Sequence, residues 1–585
     1  MALLLGRVGV QLGDIQLVRS ADLRTRAREE IDRNIFIQPT RGVIRDRKGN
    51  VLALDVQYSS LFAQPHVVDP DHAAKLALVL SGLLGMPATD LEERLTNREY
   101  QWRPIKRWIA PELAERIRVL QQQDPEEWTG LQFLWEPRRV YPQATFAAHV
   151  VGAVNFDGMG ISGVESYYDG ILKGSTGVIT AEVDAASKPI WIAPQEATPA
   201  SDGYDLDLTL DPLIQHSIER ELKKAIDAHN ADSGTIIVVD IHTGAIRGMA
   251  SFPTYDPNRY NEYAEEVYNL NPAIGQLYEP GSTFKIATMA IGLDVGAFTP
   301  ETVVDDQGTV YREGWELSNW NSGANGLITP AKVLYYSSNV GALQFNEMTG
   351  PDTFYAKVAE LGYGKPTGVD MGGEAAGIVA DPKDPNFSML QFHTNSYGQG
   401  IAVTPLQQVM MAATIGNDGI RMRPFIVQRR CHGDECTDTR PQELGRAIKP
   451  EVAQTVRRML VDSANHYAPV VWTERTGDSS DTWLVPGYKI AAKTGTSTVP
   501  DGNGGFEDWT IGSVLGLVPA EQPRYAVLVK IDHPKDDIWG VSTAIPVYQI
   551  IAEQLVRYER IAPDPALYGP GQKPEVAKEK TDQQP

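Results

Sequence analysis

The sequence predicts a multidomain protein of the α+β class, and three observations carry that expectation. The chain has 585 residues, more than one ordinary hydrophobic core accommodates, so two or more domains follow. Hydrophobic residues make up 42% and charged residues 22%, the balance of a folded globular chain rather than a disordered one. The patterning changes near residue 200, where a loop-rich, glycine-bearing stretch gives way to strands set beside long helical runs.

In chain order, residues 15–36 ("IQLVRSADLRTRAREEIDRNIF") combine strong helix formers with dense charge and predict a solvated helix. In "TRGVIRDRKGNVLALDVQYSSLFA" the turn chemistry of "RKGN" separates two alternating runs, predicting a hairpin. Residues 70–125 read as helical, rich in Leu and Glu, and a mixed, glycine-bearing region follows. In "GYDLDLTLDPLIQHSIERELKK" a short strand leads to Asp211 and Pro212, the expected cap and first residue of a long helix. "GTIIVVDIHTGAIRGMASFP" predicts two strands around the turn His242-Thr243-Gly244. The divisions expected are 1–36, a helical segment; 37–203, a mixed unit; 204–563, an α/β unit; and 564–585, a polar, proline-bearing tail with too little to bury to be ordered.

A net charge of −22 excludes nucleic acid as the natural partner, because a phosphate backbone would be repelled. No run approaches the roughly 20 apolar residues that cross a bilayer. The start, "MALLLGRVGVQLGDIQLV", is broken by Arg7 and Asp14 and lacks the layout of a signal peptide. Taken alone, this reads as a soluble cytoplasmic protein. The two cysteines, Cys431 and Cys436, leave three readings open: a small disulfide loop, two free thiols, or a metal pair with His432 and Asp434. No catalytic thiol is implied.

Three short motifs carry chemistry. In "YEPGSTFK" Ser282 stands at a turn entering a helix, with Lys285 three residues on and therefore on the same face. A serine hydroxyl needs a base to become a nucleophile. A buried lysine near another cation is neutral enough to serve. Helix-start N–H groups also favour a developing oxyanion. The bland alternative is an ordinary helix start. In "LYYSSNVG" Ser337 and Asn339 are two apart, so in extended or loop backbone their side chains point the same way, one to relay a proton and one to hold an amide. A second Ser-x-Asn, Ser463 and Asn465, ends a helical run and reads as structural. In "YKIAAKTGTSTVP" alternation predicts a strand ending at Gly495, where a ligand can approach the backbone. Lys493, Thr494 and Thr496 on such an edge suit strand addition by a peptide and capture of its carboxylate.

In the order Ser-x-x-Lys, Ser-x-Asn, Lys-Thr-Gly, these motifs match the set of the penicillin-binding proteins and serine β-lactamases. The resemblance extends along nearly the whole chain, and the protein is identified as resembling a class B (monofunctional) penicillin-binding protein. "RGVIRDRKGNVLA" is similar to the opening of that family's extracytoplasmic part, and "RVYPQATFAAHVVGAVNFDGMGISGVESYYDGILKGSTG" to its pedestal domain. "LTLDPLIQ", "YEPGSTFK", "SYGQGIAVTPLQ", "AAKTGTS" and "SVLGLVPAEQPRYAVLVKID" resemble successive landmarks of its transpeptidase domain. "SYGQGIAVTPLQ" and the pedestal spacing look more like the cell-division branch.

The resemblance implies a pedestal unit followed by a transpeptidase domain with a five-stranded antiparallel sheet between helical layers. It implies a peptidoglycan D,D-transpeptidase that crosslinks stem peptides ending in D-Ala-D-Ala through a serine acyl-enzyme and is blocked by β-lactams. By matching position, Ser282 is the nucleophile and Lys285 its base. Ser337 passes the proton toward the leaving nitrogen, and Asn339 holds the substrate amide and Lys285. Lys493 keeps the site electropositive. Thr494, Gly495 and Thr496 form the substrate edge, the two threonines binding the terminal carboxylate, and the N–H groups of Ser282 and Thr496 form the oxyanion hole. No metal or organic cofactor is implied. The partners implied are peptidoglycan stem peptides, β-lactams, a membrane glycosyltransferase and division or elongation proteins. The family places its catalytic part on the outer face of the cell membrane behind an N-terminal anchor helix, which is expected to be missing from this chain. Two enzymatic alternatives, a D,D-carboxypeptidase and a serine β-lactamase, differ by passing the acyl group to water. No "ExxLN"-like segment of the kind that holds the water in a β-lactamase is found. A largely non-catalytic scaffold for the glycosyltransferase is the alternative from another class.

Overall fold

The computed structural model describes residues 32–182, 196–385, 387–477, 479, 482–500 and 505–568, together with 6, 7, 11–14, 16 and 19. Most of the helix expected over 15–36 lies outside these, but its last residues belong to a strand, β1 (Asp32–Ile37). The hairpin around "RKGN" forms as expected from β2 (Ile44–Arg45) and β3 (Val51–Ala63). The span 70–125 is helical in α1 (Pro70–Leu84), α2 (Ala88–Thr96) and α3 (Pro111–Gln123). It is interrupted by a strand that the Leu/Glu content conceals, β4 (Arg103–Ile109). Ile105 and Ile109 of β4 are buried with the helices in one core, which is why the segment is extended. Next, β5 (Leu131–Val140) pairs with β3, and β6 (Gly177–Glu182) joins β1 to β7 (Glu196–Thr198).

After β8 (Asp205–Leu208) comes α4 (Pro212–Ala228). The Asp211 carboxylate caps it by accepting the Leu213 N–H at 3.1 Å. The other oxygen of Asp211 takes Arg47 at 3.0 Å and the Tyr558 hydroxyl at 2.7 Å, so one capping residue ties three distant segments. The strands around His242-Thr243-Gly244 are β9 (Ser233–Asp240) and β10 (Ile246–Phe252). Four helices that frame the functional region follow: α5 (Lys285–Val295), α6 (Pro330–Tyr336), α7 (Asn339–Thr349) and α8 (Pro405–Gly416). A hairpin of β11 (Val427–His432) and β12 (Glu435–Asp438) brings Cys431 opposite Cys436, and the two form a disulfide, resolving the three readings. The chain continues through α9 (Pro450–His466), β13 (Ala491–Pro500), β14 (Phe506–Val518), β15 (Tyr525–Asp532) and α10 (Ile545–Tyr558). The first residues of the expected tail are ordered: Pro565–Leu567 make a 3₁₀ turn whose Leu567 carbonyl accepts the Gly487 N–H.

Five strands form an antiparallel sheet in the order β10-β9-β15-β14-β13, as expected. Alternate residues of β9 face opposite layers: Ile236 and Val238 pack with α4 and α10, whereas Ile237 and Val239 pack with α5 and α8. Period-two burial on both faces is what makes the runs near-continuously apolar. A second, seven-stranded sheet has the order β12-β11-β8-β2-β3-β4, with β5 on β3. It therefore splices residues 44–45, 205–208 and 427–432, and its β2–β8 pairing is parallel. Beside it the buried Glu165 carboxylate accepts from Arg41 and Arg139, each at 2.7 Å, fastening three segments more than 20 residues apart.

Candidate active site

The turn "YEPGS" delivers Ser282 onto a 3₁₀ turn (Gly281–Phe284) that runs directly into α5. The turn is fixed on two sides. Gln408 of α8 donates to Thr283 Oγ1 at 3.0 Å, and Gly281 N–H donates to the Gly398 carbonyl at 3.1 Å. Gly398 has φ +85°, and a Cβ there would lie 2.2 Å from the Gly281 carbonyl oxygen, so "SYGQG" is the strap that holds the serine turn.

Lys285 is fully buried. Its Nζ lies 3.0 Å from Ser282 Oγ, 2.6 Å from the Ser337 carbonyl oxygen and 2.7 Å from Asn339 Oδ1. Burial first, and the charge of Lys493 second, hold its pKa well below the ordinary lysine range, against the opposing pull of Asp306. A neutral amine has two N–H donors and one lone pair. The carbonyl of Ser337 and Oδ1 of Asn339 can only accept, so they occupy the two donors and leave the lone pair facing Ser282. The orientation of Asn339 is self-consistent, because its Nδ2 donates to the Ser318 carbonyl at 2.9 Å.

Ser337 and Asn339 do converge on Lys285, but not through extended backbone as expected. Ser337 terminates α6 in the left-handed region, φ +59°, and Asn339 begins α7. The reversal between two helices, rather than strand alternation, turns both toward the lysine. A buried network sets that reversal and has no motif of its own in the sequence. Ser338 caps α7 by accepting the Gly341 N–H at 2.8 Å and donates to Asp306 at 2.6 Å. Asn319 accepts the N–H of Asn339 at 2.8 Å while its amide donates to both Asp306 oxygens at 2.9 Å. A buried carboxylate and a buried amide followed by an exposed Trp are the only signals, and neither is readable without the fold. Ser463 is, as expected, structural: it is buried, and its hydroxyl donates to the Leu334 carbonyl at 3.3 Å.

The third wall is β13, the edge strand of the five-stranded sheet. It does not end at Gly495 but continues to Pro500. Lys493 Nζ donates to Ser337 Oγ at 3.0 Å and to the Tyr467 hydroxyl at 3.2 Å, so Ser337 lies between the two lysines. Gly495 is pressed between β14 and the serine turn: a Cβ there would meet Ser513 Oγ at 2.7 Å, Thr283 Cγ2 at 3.0 Å and the Pro280 carbonyl at 3.1 Å. Thr494 and Thr496 share the strand's other face. Thr496 Oγ1 accepts the Gly540 N–H at 3.0 Å, which leaves its own proton for a further acceptor. The cleft is bridged by aromatic rings from its two walls: Trp320, next to Asn319, and Trp539, next to Gly540, have ring centres 5.2 Å apart at 72°.

The model of the penicillin binding protein transpeptidase domain matches residues 234–553, and that of the penicillin-binding protein dimerisation domain matches residues 36–208. The chain belongs to the penicillin-binding protein transpeptidase family. Among its relatives, stage V sporulation protein D of Bacillus subtilis is 31% identical, over 92% of this chain and 81% of the relative. Peptidoglycan D,D-transpeptidase FtsI of Escherichia coli is 29% identical, over 97% of this chain and 91% of the relative. The crystal structure of penicillin binding protein 2X from Streptococcus thermophilus shares the fold, with a TM-score of 0.71 at 23% identity, over 90% of this chain and 80% of that one. Among the described residues no helix is long and apolar enough to cross a membrane.

Proposed function

We propose that this penicillin-binding protein is a peptidoglycan D,D-transpeptidase that crosslinks stem peptides through a Ser282 acyl-enzyme, and that β-lactams acylate the same oxygen. The observation that carries the reading is the contact set of Lys285, two pure acceptors and Ser282, around a buried amine whose pKa is lowered by its burial and by Lys493. Lys285 takes the Ser282 proton as Oγ attacks the penultimate D-Ala carbonyl. The C–N bond to the last D-Ala breaks, and its nitrogen receives a proton through the Ser337 hydroxyl, which lies between Lys285 and Lys493. An amine of a second stem peptide then attacks the ester, surrenders a proton by the same route and releases Ser282. The N–H groups of Ser282 and Thr496 face the tetrahedral oxyanion, each worth about 3–4 kcal/mol to such a transition state. The hydroxyls of Thr494 and Thr496 receive the terminal carboxylate. Asn339 orients Lys285 and the substrate amide.

The division of labour proposed along the chain is a pedestal over 37–203 and a transpeptidase domain over 204–563. The likeness of the Ser396–Gln407 segment to the division branch, and the relative FtsI, support placement in septal wall synthesis on the outer face of the cell membrane, with strand polymerisation supplied by a membrane glycosyltransferase. Intact-mass measurement after incubation with penicillin, followed by peptide mapping, tests the core of this reading. One adduct on the peptide carrying Ser282, absent in Ser282→Ala, is expected; an unmodified chain or an adduct elsewhere overturns it.

A further inference from the structure

Among the described residues three lysines are buried: Lys285, Lys493 and Lys530. The first two belong to the acyl-transfer machinery. Lys530, on β15 and 1% exposed, has no part in it. Its Nζ pairs with Asp532, itself buried, whose other oxygen accepts the Ser233 hydroxyl at 2.7 Å. Stability alone does not account for such a pair, because apolar side chains of similar volume commonly serve as well in its place.

The pair lies behind the serine turn. Ser513 of β14 stands directly opposite Gly495 of β13 on one side and Lys530 of β15 on the other, so the three form one transverse row of the sheet. Residues directly opposite one another share a face, and this face carries "YEPGST". A Cβ on Gly495 would meet Ser513 Oγ, Thr283 Cγ2 and the Pro280 carbonyl. At the other end of the row, Lys530 Nζ lies 5.1 Å from the ring centre of Tyr278. The turn therefore straddles three strands, with Pro280 and Thr283 over β13 and β14 and Tyr278 over β15. The backbone of Tyr278 is paired with Val403, giving its N–H at 3.0 Å and accepting the other at 2.9 Å. Burial first, and the charge of Asp532 second, raise the Tyr278 pKa, so the lysine meets a neutral ring. An ammonium on an aromatic face is attracted more strongly when desolvated, as here, than at the surface. Ser282 follows Tyr278 by four residues.

We propose that Lys530, paired with Asp532, is a positioning residue for Ser282: it holds the Tyr278 ring, and with it the start of the serine turn, against β15, and so keeps Ser282 Oγ within reach of Lys285. The inference rests on the transpeptidase reading and adds to it a residue that touches neither substrate nor reacting atoms.

The full chain is acylated with labelled penicillin, and two quantities are read: the rate, and the label bound per chain at completion, which counts folded molecules. Lys530→Met alone would leave a buried carboxylate without its counter-ion, so Lys530→Met/Asp532→Asn removes both charges together. Full labelling at a rate roughly tenfold below wild type is expected, short of the ~100-fold that a 1 Å misplacement can bring. Tyr278→Leu, which leaves the ion pair in place, should show a similar loss, and the triple variant should lose no more than either, because one contact is removed from two sides. The acid limb of the rate profile should stay where it is in Lys530→Met/Asp532→Asn, since no net charge is removed. A wild-type rate in Tyr278→Leu overturns the inference by itself, whether or not the charge-pair variant folds. So does a wild-type rate in the charge-pair variant, a triple variant whose losses multiply, or an acid limb that moves. Wild-type chain that gives no Ser282 adduct sinks the transpeptidase reading itself, whereas a normal adduct formed at unchanged rate in the variants sinks only the role of Lys530.

Discussion

Asn319 offers the most direct test of how the site is held, because it touches none of the reacting groups and yet fixes one of them. Its side chain is 4% exposed. The oxygen accepts the N–H groups of Asn339 and Val340 at 2.8 and 3.2 Å, and the amide donates to both oxygens of Asp306 and to the Gly323 carbonyl, each at 2.9 Å. Asn319→Ala orphans the two N–H groups that open α7 and the Gly323 carbonyl. Asp306 keeps Gly308, Asn325 and Ser338. A buried group left without its partner costs about 1–3 kcal/mol. With the weaker Val340 contact discounted, the two remaining groups together should cost about 2–6 kcal/mol, read from urea unfolding midpoints at constant slope. The start of α7 also sets Asn339 against Lys285, so a shift there of a fraction of an ångström should slow acylation by a labelled penicillin about 10- to 100-fold. A variant that unfolds within about 1 kcal/mol of wild type and acylates at the wild-type rate would refute the argument that this network positions Asn339.

Three further outcomes follow from the same geometry. Acylation should fail on the acid side as Lys285 takes up a proton, and Lys493→Met, by removing the repelling charge, should move that limb to higher pH; a stopped-flow profile whose acid limb stays fixed or moves lower contradicts the assignment. The unfolded chain keeps the Lys285 proton up to its ordinary value while the folded chain releases it earlier, so this group makes stability rise with pH between those two points, measurable by melting. Gly495→Ala should displace β13 relative to the serine turn, because the new methyl meets Ser513 Oγ of β14 at 2.7 Å, Thr283 Cγ2 at 3.0 Å and the Pro280 carbonyl at 3.1 Å. Acylation drops while the far-ultraviolet spectrum is preserved, and an unimpaired variant would show that the strand can yield.

What the sequence discloses divides along the range of the interactions. The pairing of Ser282 with Lys285 is local, one helical turn, and the spacing alone brings their atoms to 3.0 Å. The Asp211-Pro212 helix start and the hairpin at "RKGN" are legible for the same reason. The meeting of Ser337 with both lysines depends on pairings of 52 and 156 residues, and only the order of motifs shared with a known family announces it. Ser337 departs from the extended backbone expected of it because a left-handed serine between two helices has no sequence signature, unlike a glycine. Asp306 and Asn319 were invisible since a buried Asp–Asn pair looks, residue by residue, like any polar loop. β4 was lost within a helical run because its fate is decided by the core it covers.

The indoles of Trp320 and Trp539 belong to opposite banks of the cleft, one adjoining the amide network and the other the strand that bears Thr496. Two chromophores at 5.2 Å couple through their transition dipoles, with a strength that depends on separation and angle. The molecule thus carries a built-in optical caliper, and near-ultraviolet dichroism can follow the breathing of its groove during turnover without any attached dye.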